Sequence, residues 1–202
     1  MSQRVTAIVG GTPTTRARCV EVLDGMSIAT ANDPQSAADG LLWFLSSAGI
    51  PDAETLPRLL AARSDESAEI VAGVAVDPGG AVIRWLAPTA RGCDTATMYA
   101  MVSRSHLPLV AAGDECLLVP RDLAVAAFAG KAQRYGRLAA RVAVSELLQE
   151  HRGVIVPGAR VTVDPAAAGP LKVRDLPDGL RAIGAGATVP RDLLNMVAPG
   201  LR

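Results

Sequence analysis

RDLAVAAFAGKAQRYGRLAARVAVSELLQE, residues 121–150, organises the reading of this chain. Pro120 precedes it, Gly153 follows it, and no proline interrupts it. On a wheel of about 100° per residue, Lys131, Arg134, Arg137 and Arg141 share one arc. That arc borders an apolar face of Phe128, Tyr135, Leu138, Ala139 and Val142. The pattern predicts one long helix with a basic side and an apolar side. Gly130 and Gly136 lie inside it, each costing about 1 kcal/mol relative to alanine. With the neighbouring alanines they make a small-residue surface that suits close packing. The alternative is that a glycine divides the stretch into two helices. The cationic arc suits an acidic partner surface or phosphates, although an amphipathic helix ordinarily turns its charges to water as well.

On the N-terminal side, Arg4 to Val9 reads as a strand ended by Gly10-Gly11. Thr12-Pro13-Thr14-Thr15 then has the hydroxyl cap and early proline of a helix start, and the helix reaches about Leu23. Met26 to Ala31 suggests a short strand. Asp33-Pro34 opens a predicted helix to Ala48, whose run Leu41-Leu42-Trp43-Phe44-Leu45 is apolar on every side and so deeply buried. Thr55 and Pro57 start a further helix to about Ala62, followed by a polar loop from Ser64 to Glu69.

The rest of the chain reads as hairpins. Asp77-Pro78-Gly79-Gly80 joins 69–76 to 81–86, and its proline and glycines make it the best turn signal present. Gly113-Asp114, Pro157-Gly158 and Pro177-Asp178-Gly179 would join 109–111 to 115–119, 154–156 to 160–163, and 171–176 to 180–183. Asp94 to Ser103 and Pro190 to Val197 read as short helices. Short joins favour antiparallel pairing. The expected fold is α+β: a mainly antiparallel sheet built from hairpins, one long helix and several shorter N-terminal helices. One domain over 1–202 is expected, with 165–202 as a candidate C-terminal appendage.

Composition narrows the functional classes. Apolar residues make up 50% of the chain but aromatics only 3%, so the bulk is Ala, Val and Leu. The formal net charge is zero, which disfavours a general nucleic-acid coat. The charge is uneven, with 7 Lys+Arg against 11 Asp+Glu in residues 1–100 and 13 against 9 in the remainder. Two halves of opposite sign complement each other within one fold or between copies. Few aromatics also argue against stacking on single-stranded nucleic acid. The N-terminus lacks a signal-peptide apolar core, and no apolar run is long enough to span a bilayer. A cytoplasmic location, or one inside an intracellularly assembled particle, is expected.

Candidate chemistry is sparse. Gly10, Gly11, Thr14, Thr15 and Arg16 form a strand–turn–helix start that could offer N–H groups to an anion. The stretch lacks the lysine of a P-loop and the third glycine of a dinucleotide turn, and a tight turn with a helix cap is the simpler account. His106 and His151 have no partner at metal-ligand spacing. Cys93 follows an Arg91-Gly92 pair, a setting that lowers a thiol pKa, but no base stands near it in sequence. Cys19 and Cys116 fall in apolar patterns and read as core. Asp65, Glu66 and Glu69 read as a solvated loop. No catalytic residue set, metal or cofactor is expected.

The expected function is a non-catalytic assembly subunit. It would act through protein–protein contacts, chiefly self-association, in an oligomer or a larger viral or phage particle, with Lys131, Arg134, Arg137 and Arg141 as partner contacts. The alternative is a small enzyme or ligand-binding domain with its anion site at the Gly10–Thr15 turn.

Overall fold

The computed structural model describes residues 4–90 and 106–188. The expected helices at 94–103 and 190–197, and Cys93, lie outside these residues. In chain order the elements are β1 (Val5–Val9), α1 (Pro13–Gly25), β2 (Ala29–Ala31), β3 (Leu41–Leu45), β4 (Ile50–Pro51), α2 (Thr55–Asp65), β5 (Ile70–Val76), a 3-10 turn (Arg84–Leu86), β6 (Thr89–Ala90), β7 (Leu107–Ala111) and β8 (Leu117–Pro120). They are followed by α3 (Arg121–Phe128), α4 (Lys131–Tyr135), a second 3-10 turn (Gly136–Leu138), α5 (Ala139–Leu147), β9 (Gly153–Thr162), α6 (Pro165–Ala168), a third 3-10 turn (Val173–Asp175) and α7 (Leu176–Gly184).

The sheet is mixed, a correction to the mainly antiparallel expectation. Its order is β2-β1-β3-β8-β5-β9-β7-β6, with β4 pairing β9 off this path. β1 pairs β2 and β3 in parallel, and β5 pairs β9 in parallel. β8 lies antiparallel between β3 and β5. Helices cover both faces, so the architecture is a three-layer α/β sandwich.

The central correction concerns residues 34–48, expected as a helix. Leu41 to Leu45 is instead strand β3, with all five residues buried. Leu41, Trp43 and Leu45 join one core with Cys19, Leu23, Leu56 and Leu59 of α1 and α2. Leu42 and Phe44 join the opposite core with Ala124, Val144 and Leu147 of α3 and α5. A strand covered on both faces reads as a continuous apolar run, which periodicity cannot separate from a buried helix.

The hairpins fail for a related reason. The Asp77 turn does form: Asp77 N–H donates to Ala81 O at 2.8 Å and Gly80 N–H to Asp77 O at 2.9 Å. Its return arm, however, is a single bridge from Val76 to Val82. β7 and β8 do not pair with each other; β7 lies between β6 and β9. Pro157-Gly158 is no turn but part of a bulge within β9. Ile155 pairs with Ala72 and Arg160 with Val74, so residues 156–159 bulge opposite the single Gly73. The last expected hairpin, 171–183, is helical, with Pro177 in the first turn of α7.

The single long helix is also corrected. Gly130 adopts φ +67° and Gly136 φ +50°. These left-handed values are readily reached by glycine and end a right-handed helix. Residues 121–147 are therefore three short helices and a 3-10 turn rather than one rod.

A candidate ligand cleft at the ends of the parallel strands

β1 sits between β2 and β3, so the chain leaves β1 toward one side and returns on the other. Open α/β sheets bind ligands in the crevice at such a switch point, outside the carboxyl ends of the strands. Here the exits of β1 and β3 are clamped together: Gly10 N–H donates to Leu45 O at 3.1 Å. A Cβ on Gly10 would collide with the backbone of Ser46. Gly10 is thus explained by close approach of two strand exits, and Gly11 by its φ of +87°. Because β8 runs antiparallel to β3, its beginning lies at the same edge, and Ser46 N–H donates to Asp114 O at 3.0 Å.

A cleft of about 360 Å³ opens at this edge. Gly11, Ser46, Ser47, Asp114 and Glu115 line its sheet side. The first 3-10 turn contributes Trp85 and Leu86, and the helical region contributes Phe128 and residues 136–141. Ala168 and Leu171 complete the rim. Several of the small residues noted in the sequence, Ala132, Gly136, Ala139 and Ala140, face this cavity. Its volume falls within the usual range for small-molecule sites, about 300–1,000 Å³.

The ionisable groups of the cleft are two carboxyls and two guanidiniums. Burial raises the Asp114 carboxyl above its ordinary value, against the Ser46 hydroxyl and its own backbone, which lower it. Burial also raises Glu115, to about 7, reinforced by the charge of Asp114 and opposed by Arg141 and Arg137. Both carboxyls are otherwise packed among protein atoms and remain partly accessible at the cleft. Adjacent buried carboxyls shed their protons as a pair. Each guanidinium donates to main-chain carbonyls, and Arg137 also lies 3.5 Å from the Asp175 carboxylate. Arg141, buried, donates to Ala87 O at 2.9 Å. Arg137 donates to Ala168 O and Gly169 O at 2.7 Å and to Pro170 O at 3.0 Å.

The residues that stand out in the sequence are separated by the fold. At the β1–α1 turn, Gly11 reaches the cleft. Thr15 N–H is taken by Thr12 Oγ1 at 3.3 Å and Arg16 N–H by Thr12 O at 2.8 Å. The Arg16 guanidinium bonds Asn32 Oδ1, and Thr14 is exposed. Of the four cations, Lys131 pairs with Glu146 at 2.7 Å, and Arg134 lies over the Tyr135 ring, 5.3 Å from its centroid. Arg137 and Arg141 line the cleft, and the break at Gly136 sends these side chains to different partners. Sequence reasoning misses Ser46, Ser47, Asp114 and Glu115 as site residues. Gly113-Asp114 has the look of a turn, and the serines fall inside an expected helix. An acidic pair shortly before a wholly apolar strand, Leu117–Val119, is the signal that could have found them.

Cys19 and Cys116 are both buried, and burial pushes their thiols up to about 11 and about 12. Among the described residues no group of three or more His, Cys, Asp or Glu is placed to hold a metal ion. Among the same residues no helix is long and apolar enough to cross a membrane.

No family model and no curated protein matches the chain. Among solved structures it is similar to one described as A197 from STIV, at 11% identity and a TM-score of 0.49, over 84% of this chain and 98% of that one.

Proposed function

We propose that this chain is a ligand-binding α/β domain whose cleft at the ends of β1 and β3 takes a small molecule rich in hydrogen-bond donors, such as a polyol or an amino alcohol. The observation that carries the reading is the pairing of Asp114 and Glu115 in a cavity at the switch point. The two arginines there bond main-chain carbonyls. The carboxyls and the hydroxyls of Ser46 and Ser47 are the acceptors that line the cavity, while Trp85, Leu86 and Phe128 give it an apolar face. The anion reading of the Gly10–Thr15 turn narrows to Gly11, the member of that set that reaches the cleft. The test is a calorimetric titration of the full chain with free monosaccharides, sugar alcohols and amino alcohols. At least one class is expected to bind, with affinity falling about tenfold or more in Asp114→Asn and Glu115→Gln, the loss typical of a hydrogen bond to a charged group. Binding unaffected by either substitution, or absent across the panel, would sink the reading.

The assembly reading is supported by a different surface. Val173, Leu180 and Ile183 are 70%, 55% and 41% exposed, and all belong to the C-terminal helical segment. We propose this patch as the contact for a second copy of the chain. Light scattering on the full chain should then show a concentration-dependent dimer that Leu180→Glu abolishes. A monomer at every concentration removes this reading and leaves the cleft untouched.

A further inference from the structure

Beyond Val163, the helical segment that follows β9 is joined to the body by side chains. Val163 N–H donates to Val76 O at 2.8 Å. Beyond Val163, the backbone hydrogen bonds among the described residues close within the segment: Ala168 to Asp164, Gly169 to Pro165, Asp175 to Lys172, Ala187 to Ala182. Some side-chain bonds are local as well, with Asp164 accepting from Ala166 N–H and Asp178 pairing with Arg181. Two features do most to tie it to the rest. One is a small apolar cluster, in which Leu171, Ala182 and Ala187 meet Tyr135, Leu138 and Val142. The other is Arg137, whose guanidinium gathers three successive carbonyls, Ala168 to Pro170, and lies 3.5 Å from the largely buried Asp175 carboxylate. Next to it, the Asp178 carboxylate packs onto Gly136, in the space a Cβ would fill.

Local hydrogen bonding and few buried apolar contacts mark the segments that open below the global unfolding threshold. Ala168 and Leu171 line the cleft. We infer that residues 165–187 form a strap that opens as a unit from the sheet, that Arg137 is the clasp holding it shut, and that its opening widens the cleft and admits the ligand. Arg137 is here a positioning residue: it builds a wall of the site by holding main chain. Lysine cannot replace it, because a point charge on a flexible stem lacks the planar fork that reaches several carbonyls at once. The part concerning ligand admission rests on the cleft being the binding site; the opening of the strap does not.

Native-state hydrogen exchange on the full chain tests it. In the unaltered protein, amides of 176–187 are expected to exchange through an opening that leaves β1, β3 and β5 protected. In Arg137→Ala and Arg137→Lys their exchange should rise about tenfold or more, the effect of losing hydrogen bonds to a charged group, with the strands unchanged. If the strap and the strands share a single opening in the unaltered protein, the inference is overturned. A loss of protection spread equally over the whole chain in both variants overturns it too. For the ligand arm, a monosaccharide or amino alcohol that binds should associate faster in Arg137→Ala, and an unchanged association rate removes the gating role. A cleft that binds nothing in the panel would remove ligand admission, and the strap would then stand or fall on hydrogen exchange alone.

Discussion

The cleft has two walls of unlike construction. The sheet wall, Gly11, Ser46, Ser47, Asp114 and Glu115, hangs from strand exits locked by main-chain bonds such as Gly10 N–H to Leu45 O at 3.1 Å and Ser46 N–H to Asp114 O at 3.0 Å. The opposite wall is held by side chains: Arg137 on three carbonyls, and a cluster of six buried residues. The first kind of wall fixes positions closely and suits the groups that carry charge. The second depends on side-chain contacts, and it is the wall we infer to open. Chemistry and access thus rest on separate supports.

Breaking the sheet wall should have the largest effect. Trp43→Ala removes the bulkiest fully buried side chain, in the strand whose exit is Ser46, and should cost about 3–5 kcal/mol in denaturant unfolding. A cost near zero would mean that β3 does not carry the core. Gly10→Ala places a methyl group against Ser46 main chain and should destabilise by about 1–3 kcal/mol, as overpacking does. The cost should come with altered amide shifts at Ser46 and Asp114, and normal shifts there would contradict the locked exits.

Two smaller effects are expected, one in the sheet wall and one in the helical region between α3 and α4. Glu115 has its folded carboxyl raised from 4.5 to about 7. A raised carboxyl favours the protonated fold, so its contribution is present below about 4.5 and is lost as pH climbs toward about 7. Stability measured across that window should decline with pH, and Glu115→Gln should flatten the decline; an identical slope in the variant would show that the pair does not hold the proton. Gly130→Ala meets open space but must adopt φ +67°. It should cost about 1–2 kcal/mol, and a stabilised protein would mean that α3 and α4 join into the continuous helix that the sequence suggests.

The legible parts of the fold are those with local punctuation. β1, the Thr12 cap, α1 and the Asp77 turn are written in caps, glycines and prolines, whereas α2 begins at Thr55 after Glu54, without the side-chain cap expected of Thr55. What stays hidden depends on partners distant in sequence. Leu41–Leu45 shows no alternation because both faces of β3 are covered, one by α1 and α2 and the other by α3 and α5. Pro157-Gly158 carries the residues of a turn, yet β5 pairs with β9 on both sides of it and turns it into a bulge. At the site, the glycine pair is visible in the sequence but the purpose of Gly10 is not, since it answers to Ser46 across the sheet. The cationic arc of 131–141 dissolves because Gly136 breaks the helix within it, which no wheel drawn on a continuous helix can express.

Whether the sheet wall is where a ligand meets the protein can be read from a titration of isotope-labelled full chain with the polyol and amino-alcohol panel, followed by backbone amide shifts. A binder is expected to move Gly11, Ser46, Ser47, Asp114 and Glu115 together with residues 137–141. Binding that moves amides elsewhere and leaves those five sheet-wall residues still would contradict the assignment of the cleft.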